Sequence, residues 1–274
     1  GMAGGNKNLL VGCAGPDTIN KSHFLGAVCN MEKIMGQIES PVRRLLNEAE
    51  DRFLKDFPIN YILTVRAKDE NGAMVTRGLF AGRDRDCYRA AARLSQEVNI
   101  IKVPPLKKAV VYLDPAEFKS TWLGNKAVYR TRMAIADGGE LLIIAPGLVE
   151  FGEAEVNERL IRKYGYRGTP FTLKAVADNE DLRQNLGAAA HLIHGSSEGR
   201  FRIAYAPGKL GRKEIEAVGF EYCALDECLA RYNPAALKDG FNRVAGEEFY
   251  FISNPALGLW KADLTKKAQS GKGT

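Results

Sequence analysis

The sequence lacks the signals of membrane insertion and secretion. It contains no apolar run near the roughly 18 residues that a membrane-spanning helix needs, and no basic-then-apolar leader at its start. Its five cysteines are scattered, and none forms a Cys-x-x-Cys pair, so neither a zinc knuckle nor a redox pair is indicated. We therefore expect a cytoplasmic protein with reduced thiols and no membrane partner.

Several common catalytic and nucleotide-binding motifs are also missing. No Gly-x-Gly-x-x-Gly follows a predicted strand, and there is neither a Gly-x4-Gly-Lys-Ser/Thr loop nor a Gly-x-Ser-x-Gly elbow. These absences disfavour a nicotinamide-dependent oxidoreductase of the common kind and a serine hydrolase. The net charge of +6 comes without a basic block interleaved with aromatic residues, so we expect no nucleic-acid partner. A carboxylate substrate or a phosphorylated cofactor fits that charge.

The first hundred residues carry alternating signals for helices and strands. Ser40-Pro41 is a helix cap followed by a first-turn proline, and Asn71-Gly72 is a hairpin signal. The periodicity predicts helices over 20–35, from 41 to 54 and over 84–96, and strands over 61–65 and 74–80. The predicted second helix buries Val42, Leu45, Leu46, Ala49, Phe53 and Leu54.

The remainder of the chain has the pattern of a parallel sheet. An apolar strand over 109–113, a helix over 127–136 and a strand over 140–145 predict a βαβ unit with both sheet faces covered by helices. Val103-Pro104-Pro105 breaks the pattern and is a candidate linker. We therefore predict an α/β protein of two α/β domains, 1–103 and 106–245. Residues 246–274 are predicted to form a C-terminal strand and tail, for which packing back on the first domain is one option.

A glycine-rich segment at the start of the chain resembles a known cofactor-attachment sequence. Gly4-Gly5-Asn6-Lys7, followed by Gly12, Thr18 and His23, resembles this segment in the nickel-pincer-dependent lactate racemase family. The stretch Ala81-Gly82-Arg83-Asp84 and the strand and helix over 110–136 also resemble that family. The resemblance covers most of the chain and implies that residues 1–103 are the remainder of a front, cofactor-bearing domain.

The resemblance implies a cofactor and a reaction. In that family a lysine carries nickel pyridinium-3,5-bisthiocarboxylate mononucleotide, and a histidine completes the nickel site. Lys7 matches the lysine, His23 matches the metal ligand, and Gly4 and Gly5 would let the backbone approach the cofactor. The implied activity is isomerisation: racemisation or epimerisation of a 2-hydroxy acid, either a small acid or a sugar acid, by hydride transfer to the tethered cofactor.

The sequence departs from the family pattern in two ways. The family's acid/base histidines and a pocket arginine lie upstream of the lysine, so no catalytic residue is assigned here and the chain resembles an N-terminally truncated member. In the helix after the first βαβ strand, Arg130 and Met133 stand where the family has glutamine and lysine. Arg130, or Arg132 beside it, is therefore predicted to bind the substrate carboxylate; an ordinary exposed helix arginine is the alternative.

Three other interpretations stay open at this stage. The chain is an enzyme that is inactive without a front domain, one subunit of a split enzyme, or a non-catalytic binding module that keeps the fold. A missing front domain or a separate chain is then the expected partner, and apolar surface left uncovered by it would favour self-association. Separately, His191 and His194 lie three residues apart, a spacing that suits either a metal pair or a helix cap and polar surface cluster.

Overall fold

The computed structural model describes residues 2–265 and divides the chain into two compact units. The first unit ends at Ile101 and the second begins at Lys102. The described strands of the predicted 246–274 segment belong to the second unit, and residues 266–274 of that segment lie outside the described residues. No helix within residues 2–265 is long and apolar enough to cross a membrane.

The first unit consists of five helices and a β-hairpin. In chain order these are α1 (Asn6–Leu10), α2 (Pro16–Val28), α3 (Met31–Ile34), α4 (Pro41–Phe53), β1 (Tyr61–Lys68), β2 (Met74–Gly82) and α5 (Arg85–Asn99). Side-chain caps begin three of these helices, α3, α4 and α5. Ser40 accepts a hydrogen bond from the amide of Arg43 at the start of α4, and Asp84 accepts one from the amide of Cys87 at the start of α5.

One face of the hairpin packs on α5. Burial alternates along β1, and its buried residues Leu63 and Val65 pack in one cluster with Tyr88, Ala91 and Ala92 of α5. This alternation is the period-2 pattern of a strand with one covered face. The outward-facing residues of the hairpin are exposed, so the hairpin has an uncovered side.

Two sequence expectations for the first unit are wrong in detail. The predicted helix over 20–35 is two helices, because Asn30 adopts a positive φ of 73° and caps α3. In α4, Leu46 is buried, but Leu45 and Phe53 are 51% and 78% exposed. The inward face of α4 follows Arg43 and Leu46 at helical spacing and is partly polar, which an apolar-periodicity argument does not detect.

The second unit contains a six-stranded sheet and its covering helices. In chain order the elements are β3 (Ile100–Val103), β4 (Leu106–Tyr112), α6 (Thr121–Gly124), α7 (Lys126–Thr131), β5 (Ile135–Ala145), α8 (Glu155–Tyr164), α9 (Thr169–Asp178), α10 (Glu180–Arg183), α11 (Leu186–His194), β6 (Arg202–Pro207), α12 (Arg212–Ala217), β7 (Glu221–Tyr222), α13 (Leu225–Arg231), β8 (Gly240–Val244), β9 (Glu247–Ile252) and, after a 3-10 turn (Pro255–Leu257), β10 (Leu259–Ala262).

The large sheet is parallel except at one edge. Its strand order is β7-β6-β5-β4-β9-β8, and β8 runs antiparallel to β9 while the other neighbours are parallel. The short strands β3 and β10 form a separate pair. The β4–α6–α7–β5 segment is a parallel βαβ unit, so the predicted α/β class is confirmed.

Both faces of the parallel sheet are buried. On one face, Val110, Leu142 and Ala204 pack with Cys228 and Tyr232 at α13. Residues of the opposite parity, such as Val111 and Ile143, are also fully buried. Strands buried on both sides read as continuous apolar runs, which explains why the sequence signal was strong here.

The helix predicted over 127–136 ends early. Helix α7 stops at Thr131, and β5 begins at Ile135, which pairs with Leu106. The register then shifts between β4 and β5, and Gly138, at a φ of 74°, lies in the irregular stretch. Gly138 and Gly139 therefore mark a bulge within strand β5 rather than the end of a helix.

Candidate functional site

The glycines before Lys7 have a conformational role. Gly4 and Gly5 have φ values of 92° and 61°, in the left-handed region that favours glycine. A Cβ atom on Gly5 would lie 3.2 Å from the Cβ of Tyr88, tighter than most contacts. Helix α1 begins directly afterwards at Asn6, so the turn places Lys7 in its first helical turn. A Cβ atom on Gly4 would contact Leu63 and Tyr88.

A buried arginine holds this turn in place. Arg43 is 4% exposed and donates hydrogen bonds to the carbonyls of Met2 (3.0 Å) and Gly4 (3.1 Å) and to Oδ1 of Asn6 (2.6 Å). Its guanidinium lies 3.8 Å from the centre of the Tyr88 ring, a cation–π contact. These contacts fix the main chain on the N-terminal side of Lys7.

The Asn6 side chain links the same turn to α4. Its Nδ2 donates to Oδ1 of Asn47 (2.8 Å) and to Oε2 of Glu50 (2.9 Å). The other oxygen of Glu50 accepts from the hydroxyl of Tyr61 at 2.9 Å. Burial and this carboxylate raise the pKa of Tyr61 to about 12, so the phenol stays a donor. The segment that carries Lys7 is therefore built on a satisfied polar network.

The environment favours the neutral forms of Lys7 and His23. Desolvation, followed by the positive charge of Arg43, lowers the pKa of Lys7. Although His23 on α2 is exposed, desolvation also lowers its pKa; a hydrogen bond to Ile19 opposes this shift, and the charge of Lys7 adds to it. The effect of Lys7 on His23 shows that the fold brings the two predicted residues within electrostatic range.

The hydrogen bond of His23 determines its tautomer. Nδ1 lies 2.7 Å from the carbonyl oxygen of Ile19. A carbonyl can only accept, so Nδ1 carries the proton and the neutral ring leaves the lone pair on Nε2. That is the state in which an imidazole binds a transition metal, with its other nitrogen held by a backbone carbonyl.

Sequence reasoning did not identify Arg43 or Asn6 as parts of this site. An arginine in the first turn of an amphipathic helix is usually solvent-exposed, and its partners lie about 40 residues earlier in the chain. The one available signal was its location on the same helix face as Leu46. The predicted Lys7 and His23 both lie in the first unit, and their cofactor roles stay predictions.

The two predicted substrate arginines lie in the second unit and are not ordinary exposed residues. Arg130 is half-buried on α7; its Nη1 donates to the carbonyl of Gly258 at 3.2 Å, and its buried Nε has no hydrogen-bond partner among residues 2–265. Arg132 is 2% exposed and its carbonyl accepts from Nη1 of Arg200. Because α7 ends at Thr131, Arg132 turns into the core. The Nε of Arg130 is therefore a buried donor for a ligand.

His191 is part of a buried hydrogen-bond network. Thr121 Oγ1 donates to the carbonyl of Phe151 at 2.7 Å, so at its 2.7 Å contact with Tyr166 the phenol is the donor. The Tyr166 oxygen then accepts from Nε2 of His191 at 2.8 Å. Burial lowers the pKa of His191 to about 3, and its ring lies 4.5 Å from that of Trp122. His191 is therefore a neutral hydrogen-bond donor.

The alternative metal pair of His191 and His194 is not formed. Nε2 of His191 is engaged by Tyr166, and the ring of His194 lies 6.1 Å from that of Tyr129. Within residues 2–265 no group of three His, Cys, Asp or Glu side chains could hold a metal ion. A ligand set supplied mainly by a cofactor, with one histidine, does not require such a group.

Comparison with solved structures defines the class of fold. The chain has a lactate-racemase-like α/β fold. It is similar to a structural-genomics protein from Thermotoga maritima, with a TM-score of 0.68 and 20% identity over 89% of this chain and 59% of that one. It is also similar to the lactate racemase apoprotein from Thermoanaerobacterium thermosaccharolyticum, with a TM-score of 0.67 and 15% identity over 94% of this chain and 59% of that one.

The extent of these matches limits what they show. The chain spans 59% of the length of each of these two proteins. No protein-family model matches the sequence, and no curated protein matches it either. At 15–20% identity, the likeness establishes the fold.

Proposed function

We propose that the first unit binds a nickel-pincer nucleotide through Lys7 and His23, and that the chain is the corresponding part of a 2-hydroxy-acid racemase or epimerase. The observation that carries this proposal is the state of His23. Its Nδ1 is held by the carbonyl of Ile19, its Nε2 lone pair is available, and Lys7 lies within electrostatic range. A lactate-racemase-like fold around these two residues supports the same assignment.

The chemistry of both residues fits the cofactor. The lowered pKa of Lys7 increases the fraction of neutral amine, the nucleophilic form through which Lys7 would hold the cofactor. His23 offers a neutral imidazole to nickel, a ligand type that this metal accepts in square-planar sites. When bound, the group would supply an acceptor for the hydride of the substrate.

Substrate binding is assigned to the second unit. Arg130 has a buried Nε without a partner among residues 2–265, and a guanidinium can hold a carboxylate through two parallel hydrogen bonds. Arg132 is the second candidate, at a position that is 2% exposed. A 2-hydroxy acid, whether small or a sugar acid, supplies the carboxylate.

We assign the proton transfers to groups outside these 274 residues. The sequence has three histidines: His23 is assigned to the metal, His191 donates to Tyr166, and His194 contacts Tyr129. We assign none of them as the acid or base. A front domain or a separate chain would supply these groups, which makes a split enzyme the specific alternative.

Cofactor attachment tests the proposal directly. The chain would be co-expressed with a pincer-synthesis pathway and analysed by intact mass, peptide mapping and nickel quantification. We expect an adduct on Lys7, no adduct in Lys7→Arg, and an adduct with at least tenfold less nickel in His23→Gln. Lys21→Arg, an exposed substitution on α2, is the matched control and should keep both the adduct on Lys7 and the nickel content.

The reference for this experiment is the Thermoanaerobacterium lactate racemase, loaded in the same cells. If that enzyme carries the adduct and Lys7 does not, the proposal is wrong. An adduct on another lysine, or nickel retention in His23→Gln equal to that of the parent chain, would also reject the assigned roles.

A further inference from the structure

A groove of about 430 Å³ runs along the open side of the hairpin in the first unit. One wall is formed by residues 62–66 of β1, and residues 2–4 also line the groove. The floor is the α5 face that carries Ala91, Ala92 and Ser95. Lys7 and His23 are not among its lining residues, whereas Gly4 is, so this β1 groove borders the proposed cofactor-bearing segment.

The strand wall of the β1 groove is an unpaired sheet edge. Among residues 2–265, β1 pairs with β2 alone. An edge strand presents main-chain N–H and C=O groups on its outer side at every second residue, and these groups require partners when they are covered. The amide of Asn99 donates to the carbonyl of Arg66 at 3.1 Å, which shows that a side chain of α5 already pairs with the main chain near the end of the groove.

The floor of the β1 groove is made of short side chains, which leaves room for the side chains of a bound segment. Ala91, Ala92 and Ser95 are the short residues on the α5 face toward β1, and Ala91 and Ala92 pack with the buried residues Leu63 and Val65. Because these side chains are short, they leave open space above α5 beside β1. A third strand beside β1 would place alternate side chains on this floor, in line with Leu63 and Val65.

We propose that the β1 groove binds an extended polypeptide segment, which adds to β1 as a third strand. The five residues 62–66 that line the groove span about 17 Å at the usual strand rise, so about five residues of the segment would pair. The segment has apolar side chains at alternate positions facing α5.

The observations favour a single strand from outside these residues over a second copy of the chain. Residues 2–4 line the groove together with β1 and leave room for one added strand rather than a folded body. The β1 strand of a second copy would arrive with its own β2 and α5 attached, a far larger body than 430 Å³ accommodates. Proteins of this fold also have further polypeptide, since the chain spans 59% of each matched structure, and that polypeptide can supply a strand.

Selection from a random nine-residue peptide library displayed on phage, with the full chain as target, tests this proposal without any cofactor. We expect enriched peptides with alternating apolar residues. Two tryptophan variants should weaken peptide binding at least tenfold: Ser95→Trp on the floor and Ala3→Trp in the exposed segment 2–4. Ser95→Ala should bind the peptides as the parent chain does. Bound peptide should slow amide hydrogen exchange of residues 62–66 at least tenfold.

Three results would overturn the proposal. They are a selection without enriched peptides, peptides that bind both tryptophan variants as tightly as the parent, and exchange protection confined to other residues. Dimerisation of the chain that both tryptophan variants abolish would assign the groove to a second copy instead. Circular dichroism of each variant checks its folding, and Ala3→Trp lies at an exposed position where substitution leaves the core intact.

Discussion

Arg43 is the residue on which the geometry of the Lys7 segment depends. It replaces solvent for two main-chain carbonyls and for the Asn6 side chain, and its ring contact with Tyr88 compensates part of its desolvation. Its charge also contributes to the lowered pKa of Lys7. Arg43 thus holds the Lys7 segment in place and adds to the larger effect of burial on the pKa of Lys7.

We predict that Arg43→Ala loosens the first unit. Removing the guanidinium leaves the carbonyls of Met2 and Gly4 and the Asn6 side chain without their donor, a loss of about 2–4 kcal/mol in unfolding free energy. Hydrogen-exchange mass spectrometry should show faster exchange over residues 2–10. Arg44→Ala is the matched control, because Arg44 is the exposed neighbour on α4. Equal exchange in both variants would contradict this role for Arg43.

The buried His191 predicts an acid-sensitive second unit. Its folded pKa of about 3 lies below the ordinary value of 6.5, so between these values the unfolded chain binds a proton that the folded chain does not. Stability from this group is fully present above pH 6.5 and is lost as pH falls toward 3. The loss approaches about 1.4 kcal/mol per pH unit within that window.

His191→Gln should reduce this pH dependence between pH 6 and pH 4. Urea unfolding followed by tryptophan fluorescence measures it, since both tryptophans, Trp122 and Trp260, lie in the second unit. The variant should also lose about 1–3 kcal/mol at pH 7, because Tyr166 loses its donor. His23→Gln, in the first unit, is the control. An unchanged slope in His191→Gln would show that His191 is protonated in the folded chain.

At the scale of elements, the end of α11 packs directly against the His191 network. Gly195 has an ordinary negative φ of −82°, so its requirement is steric rather than conformational. A Cβ atom there would lie 2.3 Å from Nδ2 of Asn125 and 2.6 Å from the Tyr166 ring. The close approach of this helix end is what places both side chains around His191.

Gly195→Ala is therefore expected to destabilise the second unit by about 2–3 kcal/mol, since neither the amide nor the ring can retreat within a buried network. Gly211→Ala provides the comparison: its Cβ would meet only the Glu214 carboxylate at 3.6 Å, and its cost should stay below about 1 kcal/mol. Thermal unfolding followed by tryptophan fluorescence measures both. Similar midpoints for the two variants would rule out the steric argument.

Element types were more predictable from the sequence than element ends or faces. The Asn71-Gly72 turn, the Ser40 cap and the apolar runs of β4 and β5 are local signals, and each element they indicate is present. The end of α7 was misplaced because the Gly138 bulge belongs to strand pairing with β4. The exposure of Leu45 and Phe53 was missed because the inward face of α4 binds polar partners.

At the scale of the whole molecule, two units with separate cores carry different parts of the proposed function. The first holds Lys7 and His23, and the second holds Arg130 and Arg132. The chain spans 59% of the length of the matched solved structures.

We predict that the purified 274-residue chain does not racemise lactate or related 2-hydroxy acids, even after loading with cofactor. The reason is that the buried His191 is held neutral and donates to Tyr166. We assign no acid/base pair within the chain. Chiral chromatography of D- and L-lactate after incubation measures this. Racemisation at a rate that Lys7→Arg abolishes would show that the chain contains its own acid and base.

The sequence by itself determined the α/β class, the parallel βαβ unit and the candidate pair of Lys7 and His23. These depend on turn residues, caps and apolar periodicity within a few positions, or on a short motif. Tertiary structure alone decided that Arg43 is buried under the Lys7 turn, that Nε2 of His23 keeps its lone pair, and that β1 has an open edge. Each of these depends on partners brought together by the fold, often tens of residues apart, whose desolvation and hydrogen bonding no local pattern encodes.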